Sequence, residues 1–342
     1  MTTRSFARMA AATLSTALLL LGAPVLHAQG HGETVRFQDY PGLGNLLMRV
    51  AIKKGYCEKA GIKCELQVIP TAPLGAQAAM AGSIQSFMAT FDVVNAAVQR
   101  GAKMKMVFGA QDAVLMQLIF GNHMDAPNAG KPWPAFMQDL KGKKIGVASR
   151  GSATETYIVW MLNKAGINPD QVTFVAVGSP DTGYAALQSR QVDALMTWDP
   201  AGAMCRTLDT CKVVYRTAFD RQPGELFAIN GGASTNVFMQ DYIDKNPQVI
   251  EAVIAASRQA DAFINDPANF EEVAKISQDY YKASMPRGEE ITKRGLRDAI
   301  ATNSFRAAIN RDAVQAGLDL FVGAKQIQKA APLADLIYSQ SP

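Results

Sequence analysis

The sequence predicts an α/β protein of two similar lobes, each a doubly wound sheet flanked by helices. From Thr34 onward, short apolar runs alternate with glycine-containing loops and with segments of helical periodicity, which is the pattern of repeated strand–helix units. Part of this order recurs, because the run KAGI at Lys59–Ile62 reappears farther along the chain at Lys164–Ile167. Two such units in tandem predict two lobes that face each other.

The first unit is predicted to start with strand Thr34–Gln38 and the Gly/Pro loop Asp39–Asn45. One continuous helix is expected over Leu46–Lys59, because Gly61 follows as a C-terminal signal. The pattern then predicts strand Glu65–Ile69, helix Leu74–Gly82, strand Ser86–Thr90, helix Val93–Arg100 and strand Met104–Gly109.

The second unit is clearest between Lys141 and Pro200. The strand Ile145–Ala148 runs into a short glycine loop, and a helix is predicted to start at Ser152, which has the spacing of a capping box with Glu155. The unpaired N–H groups at such a helix start, together with the helix dipole, can bind an anion or a polar ligand. The alternative is a helix cap with no role in binding.

The chain is expected to cross between the lobes twice. Val114–Gly121 is predicted as a crossing strand and Leu226–Gly232 as the return strand. The second lobe would then be inserted into the first, with residues 29–116 and 229–342 in the first lobe and residues 117–228 in the second. After Val237 the chain is predicted to be mostly helical and to pack on the first lobe.

Residues 1–28 are predicted to be a signal peptide. Arg4 and Arg8 form a basic start, Met9–Leu21 is an apolar run, and Leu26-His27-Ala28 offers a cleavage site after Ala28. The alternative, a membrane anchor, is disfavoured because the apolar run is too short to span a bilayer stably. We therefore expect an exported periplasmic protein without stable membrane insertion.

Charge and cysteine content agree with this expectation. Removal of Arg4 and Arg8 leaves a nearly balanced chain, since the whole sequence has a net charge of only +4, and this argues against a nucleic-acid partner. The four cysteines form two local pairs, which we expect to be disulfides in an oxidising compartment: Cys57 with Cys64 and Cys205 with Cys211. Free thiols or a single four-cysteine metal site are the alternatives, and no metal site is predicted.

The stretch Lys141–Pro200 resembles the second lobe of solute-binding proteins of bacterial ABC importers, in the nitrate/sulfonate/taurine and thiamine-precursor family. Weaker similarity covers nearly the whole exported chain. The resemblance implies the type II periplasmic binding protein fold, with two crossing hinge strands that let the lobes close on a ligand. The residues that carry it are Lys143–Val147, Gly151–Glu155, Ala185–Ala194 and Trp198–Pro200.

The same resemblance implies a monomeric protein that has no cofactor. It would capture a small molecule and deliver it to the permease and ATPase subunits of an ABC importer. The expected ligand is a small polar or anionic organic solute, such as a sulfonate, taurine, nitrate or a small carboxylate. A pyrimidine-like thiamine precursor or another small aromatic compound is the alternative.

Candidate binding residues follow from the rule that ligands of doubly wound sheets lie beyond the carboxyl ends of the strands. Tyr40 and Trp198 could stack on a ligand, and Arg150 could pair with an anion. Packing is the alternative role for the two aromatic residues, capping for Asn45 and a turn for Asp199. The full set is Tyr40, Asn45, Thr71, Thr90, Arg150, Gly151, Ser152, Thr154, Trp198, Asp199 and Asn230.

An enzyme is not predicted. His27 belongs to the signal peptide, which leaves His31 and His123, and no nucleophile elbow, zinc-protease or P-loop motif is present. Pyrimidine synthases of the same fold superfamily use an active-site histidine and a cysteine-rich motif, and the chain matches neither. A ligand-sensing adaptor that binds a receptor instead of a permease is a further alternative.

Overall fold

Residues 32–113, 115–281 and 285–342 are described by a computed structural model, and they form two five-stranded sheets flanked by helices. This arrangement confirms the predicted two-lobed α/β fold. The predicted signal peptide lies outside the described residues, and so does Val114. We call the unit around each sheet a lobe, while the exact lobe boundaries remain a prediction.

The first sheet has the strand order β2-β1-β3-β10-β4. Strand β10 runs antiparallel to both of its neighbours, whereas β1 pairs in parallel with β2 and β3. The strands are β1 (Thr34–Asp39), β2 (Lys63–Val68), β3 (Ser86–Thr90), β4 (Met104–Gln111) and β10 (Ser234–Met239).

The second sheet has the order β7-β6-β8-β5-β9. Here β5 is the antiparallel strand, and β6 pairs in parallel with β7 and β8. Each sheet thus contains one strand that reverses the direction of its neighbours. The strands are β5 (Met116–Gly121), β6 (Lys144–Val147), β7 (Thr173–Ala176), β8 (Ala194–Trp198) and β9 (Cys211–Arg216).

Helices cover the faces of both sheets, and short 3₁₀ turns at Ala135–Leu140, Pro169–Gln171 and Pro267–Asn269 complete the elements. None of the described helices is long and apolar enough to cross a membrane. The α-helices are α1 (Leu46–Lys53), α2 (Tyr56–Lys59), α3 (Ala72–Met80), α4 (Phe91–Gln99), α5 (Ala153–Lys164), α6 (Pro180–Gln188), α7 (Ala201–Leu208), α8 (Gly224–Phe227), α9 (Gln240–Lys245), α10 (Pro247–Ile264), α11 (Phe270–Tyr280), α12 (Gly288–Ala301), α13 (Arg311–Gly323) and α14 (Leu333–Leu336).

The predicted return strand Leu226–Gly232 is wrong. This stretch contains the end of helix α8 followed by a turn, and the strand of the first sheet begins later, at Ser234. Gly231 lies in that turn with a φ of +118°, a conformation that side-chain-bearing residues rarely adopt. The chain passes between the two sheets twice, once between β4 and β5 and once between β9 and β10. We call these the two crossing segments. They touch each other, because the Gly231 N–H donates to the Asp112 carbonyl at 2.7 Å.

The single helix predicted over residues 46–59 is also wrong, because it is divided into α1 and α2. Gly55 has a φ of +68° and lies between them, so the chain turns where a left-handed conformation is allowed. The turn brings Cys57 under β2, where it bonds to Cys64 with a Cα–Cα distance of 6.0 Å. The second predicted disulfide, Cys205–Cys211, is likewise formed, with a Cα–Cα distance of 4.9 Å.

The apolar core continues from one lobe into the other near the C-terminus. The ring of Phe321, on α13, stacks on Phe91 of α4 with centroids 5.8 Å apart. The same ring meets the edge of Tyr157 on α5 at 5.3 Å. The C-terminal helices were expected to pack on the first lobe, but α12 also packs against α7 of the second, where Asp298 forms an ion pair with Arg206 at 2.6 Å.

Candidate functional site

A cavity of about 90 Å³ lies between the two sheets. This is smaller than the cavity of about 150 Å³ that holds one benzene molecule, so a ligand of more than a few non-hydrogen atoms would require the walls to separate. Both lobes and both crossing regions contribute to its wall. The lining residues are Tyr40, Pro70, Thr71, Ala72, Ala89, Thr90, Val93, Gln111, Ala113, Leu115, Met116, Ala148, Ser152, Ala153, Thr154, Trp198, Ala233 and Ser234.

Three of the predicted residues form the first-lobe wall of this cavity. Thr71 and Thr90 are the N-cap residues of α3 and α4, and neither side chain caps its own helix. The Thr90 Oγ1 atom is buried and has no hydrogen-bond partner. Tyr40 donates its hydroxyl to the Met88 carbonyl at 2.7 Å, and burial raises the pKa of this hydroxyl. Tyr40 therefore offers mainly its ring to a ligand.

Gln38 holds this wall in place, although it does not line the cavity. Its amide nitrogen donates to the carbonyls of Ile69 at 2.8 Å and Thr71 at 2.9 Å, and its oxygen accepts from the Met88 N–H at 2.9 Å. A Cβ atom on Gly75 would lie 2.0 Å from that oxygen, so the glycine allows α3 to approach the strand. Sequence reasoning missed Gln38, because a single glutamine at a strand end carries no motif.

The second-lobe wall contains Ser152, Thr154 and Trp198, as predicted from the strand ends. The Ser152 hydroxyl donates to the Ser149 carbonyl at 2.7 Å, and Thr154 Oγ1 accepts from the Ala148 N–H at 2.9 Å. The predicted capping box does not form, since Ser152 makes no side-chain cap. Both hydroxyls instead secure the loop before α5, and this places the helix N-terminus against the cavity.

Arg150 and Gly151 lie outside the lining of this cavity. An Arg150 Nη2 atom pairs with Glu155 at 2.8 Å, and the side chain is 66% exposed. The Gly151 N–H donates to Glu155 as well, at 2.6 Å. The carboxylate of Glu155 is thus occupied by its own loop and faces a neighbouring groove, which Gly151 also lines.

Three other predicted residues do not line the cavity: Asn45 and Asp199 are buried, and Asn230 is partly exposed. Asn45 donates to the Asn236 side chain at 2.8 Å, so it ties α1 to β10. Asp199 accepts from the Ala203 N–H at 3.0 Å at the start of α7, and burial raises the pKa of its carboxyl. Asn230 donates to the Phe227 carbonyl at 2.9 Å within the turn after α8.

The structure adds two polar residues that the sequence did not indicate. Gln111 and Ser234 line the cavity and are paired neighbours on β4 and β10. The predicted strand stopped at Gly109, whereas β4 continues to Gln111. With the correct boundary, the strand-end rule that identified Thr90 would have identified Gln111 too.

The electrostatics of the cavity come from backbone dipoles. Among the described residues that line it, none carries a charged side chain. The N-terminal ends of α3 and α5 face it through Thr71 and Ser152, whereas the first turn of α4 contains the buried carboxyl group of Asp92. Such ends carry partial positive charge and free N–H donors. In the part of the chain that the structure describes, no group of three or more His, Cys, Asp or Glu could hold a metal ion.

Comparisons with known proteins agree with this architecture. The family model described as NMT1/THI5 like matches residues 46–269, which is more than half of the chain. A relative from Brucella abortus (strain 2308), named only as a binding protein, is 26% identical over 253 residues. These residues are 74% of this chain and 72% of that protein.

Two solved structures share the fold at low sequence identity. The alkanesulfonate-binding protein SsuA from Xanthomonas axonopodis pv. citri, bound to MOPS, has a TM-score of 0.69 and 17% identity, covering 91% of this chain and 99% of that one. The periplasmic nitrate-binding protein NrtA from Synechocystis PCC 6803 has a TM-score of 0.62 and 14% identity, covering 90% and 93%. The chain thus has the periplasmic binding protein fold.

Proposed function

Because the chain belongs to the NMT1/THI5-like family, we propose that it is the periplasmic solute-binding component of an ABC-type importer. One observation carries this proposal: the cavity is lined by residues of both lobes, with Tyr40, Thr71 and Thr90 on one side and Ser152, Thr154 and Trp198 on the other. A ligand that touches both walls stabilises the arrangement in which they are close together.

The mechanism follows from this geometry. The solute enters an open cleft and contacts one lobe, and rotation about the two crossing segments adds the contacts of the other lobe. The ligand shifts the equilibrium only by its preference for the closed form. The closed protein then docks on the permease, and the ATPase subunits drive release and transport. This is a binding role, without covalent chemistry.

The ligand of the proposed importer component is a small polar or anionic organic solute. The names of two structural neighbours include alkanesulfonate and nitrate binding, and the helix N-termini at the cavity favour an anionic group. A second candidate, a small aromatic or pyrimidine-like compound, is favoured by the ring of Tyr40, whose centroid lies 6.0 Å from that of Trp198.

Export and binding can be tested in one preparation. The full chain would be expressed in a Gram-negative host, and the protein recovered from the periplasmic fraction would be sequenced at its N-terminus. Its thermal midpoint would then be measured with sulfonates, taurine, nitrate, small carboxylates, aromatic acids and pyrimidines. A ligand at 100 times its Kd should add about 2.7 kcal/mol of stability, and one chemical class should do so.

Two results would contradict the proposal. Protein that stays in the cytoplasm with residues 1–28 attached would exclude the exported role. The absence of any stabilising compound, together with the absence of a bound small molecule in native mass spectrometry, would exclude solute capture. Ligand-dependent binding to a sensor receptor, without uptake through a permease, would favour the adaptor role.

A further inference from the structure

In this structure the two lobes lie close together, since the cavity between them has a volume of only about 90 Å³. We propose that the C-terminal helices α12 and α13 each bridge the lobes and hold them in this closed arrangement before any solute binds. The inference goes beyond the proposed function, because it concerns the ligand-free protein and does not depend on the identity of the solute. It places a determinant of solute affinity outside the cavity.

Helix α12 contributes to the cores of both lobes. Leu296 and Ala299 are fully buried in the first-lobe core, among residues of α1, α10 and α11. Ile291 is also fully buried, but it lies in the second-lobe core, among residues of α6 and α7. Residues three, four or seven positions apart share one face of a helix. The helix therefore presents one face to the first lobe through Leu296 and Ala299, and another to the second lobe through Ile291 and Asp298.

Ion pairs connect the same helix to both lobes. Toward the second lobe, Asp298 lies 2.6 Å from Arg206 Nη2 of α7 and 3.5 Å from Arg216 Nη1 at the end of β9. The side chain of Asp298 is only 23% exposed, so solvent screens these pairs less than it screens a surface pair. Toward the first lobe, Lys293 lies 2.9 Å from Glu271 of α11. Helix α12 is thus fixed to both lobes by charge as well as by apolar packing.

Helix α13 forms a second bridge, at a different place. The ring of Phe321 lies between Phe91 of the first lobe, at 5.8 Å, and Tyr157 of the second lobe, at 5.3 Å between centroids. All three rings are fully buried. Shortly after the helix, the Gln326 side-chain nitrogen donates to the Thr156 carbonyl of α5 at 2.8 Å. The segment that contains α13 therefore reaches across the cleft through one ring and one hydrogen bond.

These contacts require the lobes to be close together. A rotation that opens the cleft moves α12 out of one of its two cores and separates Phe321 from one of its two ring partners. Both changes expose buried apolar surface to water, which is unfavourable. The closed form therefore has stabilising contacts that the open form lacks. Because apparent affinity scales with the fraction of protein in the binding-competent form, the two bridges strengthen the binding of any solute that both lobes hold.

Small-angle X-ray scattering of the ligand-free protein tests this inference without knowledge of the solute. Bound molecules would first be removed by unfolding and refolding with the disulfides intact, and native mass spectrometry would establish that the monomer is empty. We expect the scattering profile to agree with that of the closed arrangement. A profile that only separated lobes reproduce would overturn the proposal.

Two substitutions weaken one bridge each. Asp298→Asn removes the charge that pairs with Arg206, and Phe321→Leu removes both ring contacts but keeps an apolar side chain. We expect each to increase the radius of gyration of the ligand-free protein, and the double variant to increase it further, because the two sites are separate. An unchanged radius in the folded double variant would overturn the proposal.

Each substitution has a matched control. Glu289→Gln breaks an exposed pair within α12, where Glu289 lies 2.9 Å from Lys293. Phe37→Leu removes two ring contacts that lie entirely inside the first lobe, with Phe108 and Phe238. Neither control should change the radius of gyration. If a control increased the radius as much as its counterpart, the cause would be general loosening of the fold, and the proposal would be overturned.

Circular dichroism establishes that each variant is folded, and Asp298→Asn alone decides the outcome if the ring variants do not fold. The result is also separate from that for solute capture, because scattering of the empty protein contains no contribution from a solute. An open ligand-free protein that still binds a solute would overturn the role of α12 and α13 and keep the proposed function. A closed protein that opens in the double variant but binds no solute would do the reverse.

Discussion

Tyr40 of the first lobe and Trp198 of the second lobe face each other across the cavity, with ring centroids 6.0 Å apart. Tyr40 directly follows the C-terminal end of β1, and Trp198 is the last residue of β8. The contact therefore joins the two sheets at the edge where a ligand would enter. The distance between these rings should report on closure of the cleft.

We expect Trp198 to report ligand binding by fluorescence. It lines the cavity, whereas Trp133 packs against Phe136 at 5.9 Å, away from the cavity lining. Trp160, the third tryptophan, is buried on α5 and does not line the cavity either. Trp198→Phe should therefore abolish the ligand-induced fluorescence change, and Trp133→Phe and Trp160→Phe should keep it. Trp198→Ala should also weaken binding by roughly tenfold through loss of ring contact. A full fluorescence response in Trp198→Phe would place the ligand elsewhere.

The loop that carries Tyr40 depends on a buried ion pair between Arg49 and Asp39. Arg49 Nε lies 2.9 Å from Asp39, and both side chains are almost fully buried. The guanidinium also donates to the carbonyls of Gly42 and Tyr40, each at 2.7 Å. Removing one partner of such a pair leaves an uncompensated buried charge, which costs about 3–5 kcal/mol.

We therefore expect Arg49→Met to lower the free energy of unfolding in urea by about this amount. Lys53→Met is the matched control, because Lys53 lies on the same helix in an exposed pair with Asp279 and should change stability far less than Arg49→Met does. If both substitutions changed the free energy of unfolding equally, the burial of the Arg49–Asp39 pair would have no effect on stability.

The two disulfides should stabilise the protein. Cys57–Cys64 and Cys205–Cys211 close short loops, with sequence separations of 7 and 6. By chain entropy, each loop should contribute about 2 kcal/mol. The double variant Cys205→Ser/Cys211→Ser should lose this amount in urea unfolding. Dithiothreitol should destabilise the native protein more than a variant without any cysteine, and equal effects on both would contradict the prediction.

Asp112, where the two crossing segments touch, should make stability depend on pH. Burial raises the pKa of its carboxyl to about 7, while Arg306 lowers it and Asp261 raises it. An unfolded aspartate titrates near 3.9, so the folded state holds this proton more tightly. The stabilisation is complete below about pH 4 and is lost as the pH rises through about 7.

We expect Asp112→Asn to flatten the pH dependence of unfolding between pH 4 and 8. The change should be about 1–2 kcal/mol, because the carboxyl is only partly buried and solvent screens part of the effect. Chemical unfolding of both proteins at each pH measures it. An unchanged slope in the variant would mean that Asp112 does not hold a proton in the folded state.

Much of the architecture could be predicted from the local pattern. Strand ends followed by helix starts indicated Thr71, Thr90, Ser152, Thr154 and Trp198, and all five line one cavity. Their placement follows from the rule for carboxyl ends of strands, which depends on chain order alone. The two disulfide pairs could also be predicted, because the two cysteines of each pair are close in sequence.

The role of Arg150 could not be decided in this way. The sequence shows a cation beside a helix start, and only the folded loop shows that Glu155, one helical turn onward, accepts both the Arg150 guanidinium and the Gly151 N–H. Arg150 pairs with Glu155 because the folded loop brings the two side chains together. The distance between them depends on the geometry of the loop, which the sequence does not show. The error at residues 226–232 also comes from local geometry, because Leu226 and Phe227 belong to helix α8 and residues 228–231 form a turn, although the run is apolar enough to resemble a strand.

The sequence by itself determined the alternation of strands and helices, the two tandem lobes and the disulfide pairs, because these depend on periodicity and on short-range spacing. Tertiary structure alone decided which strand ends share a wall, that Tyr40 meets Trp198, and that Gln38 supports α3. These relationships join residues far apart in the chain. They arise from the packing of helices on each sheet and of the two lobes against each other, which no local pattern encodes.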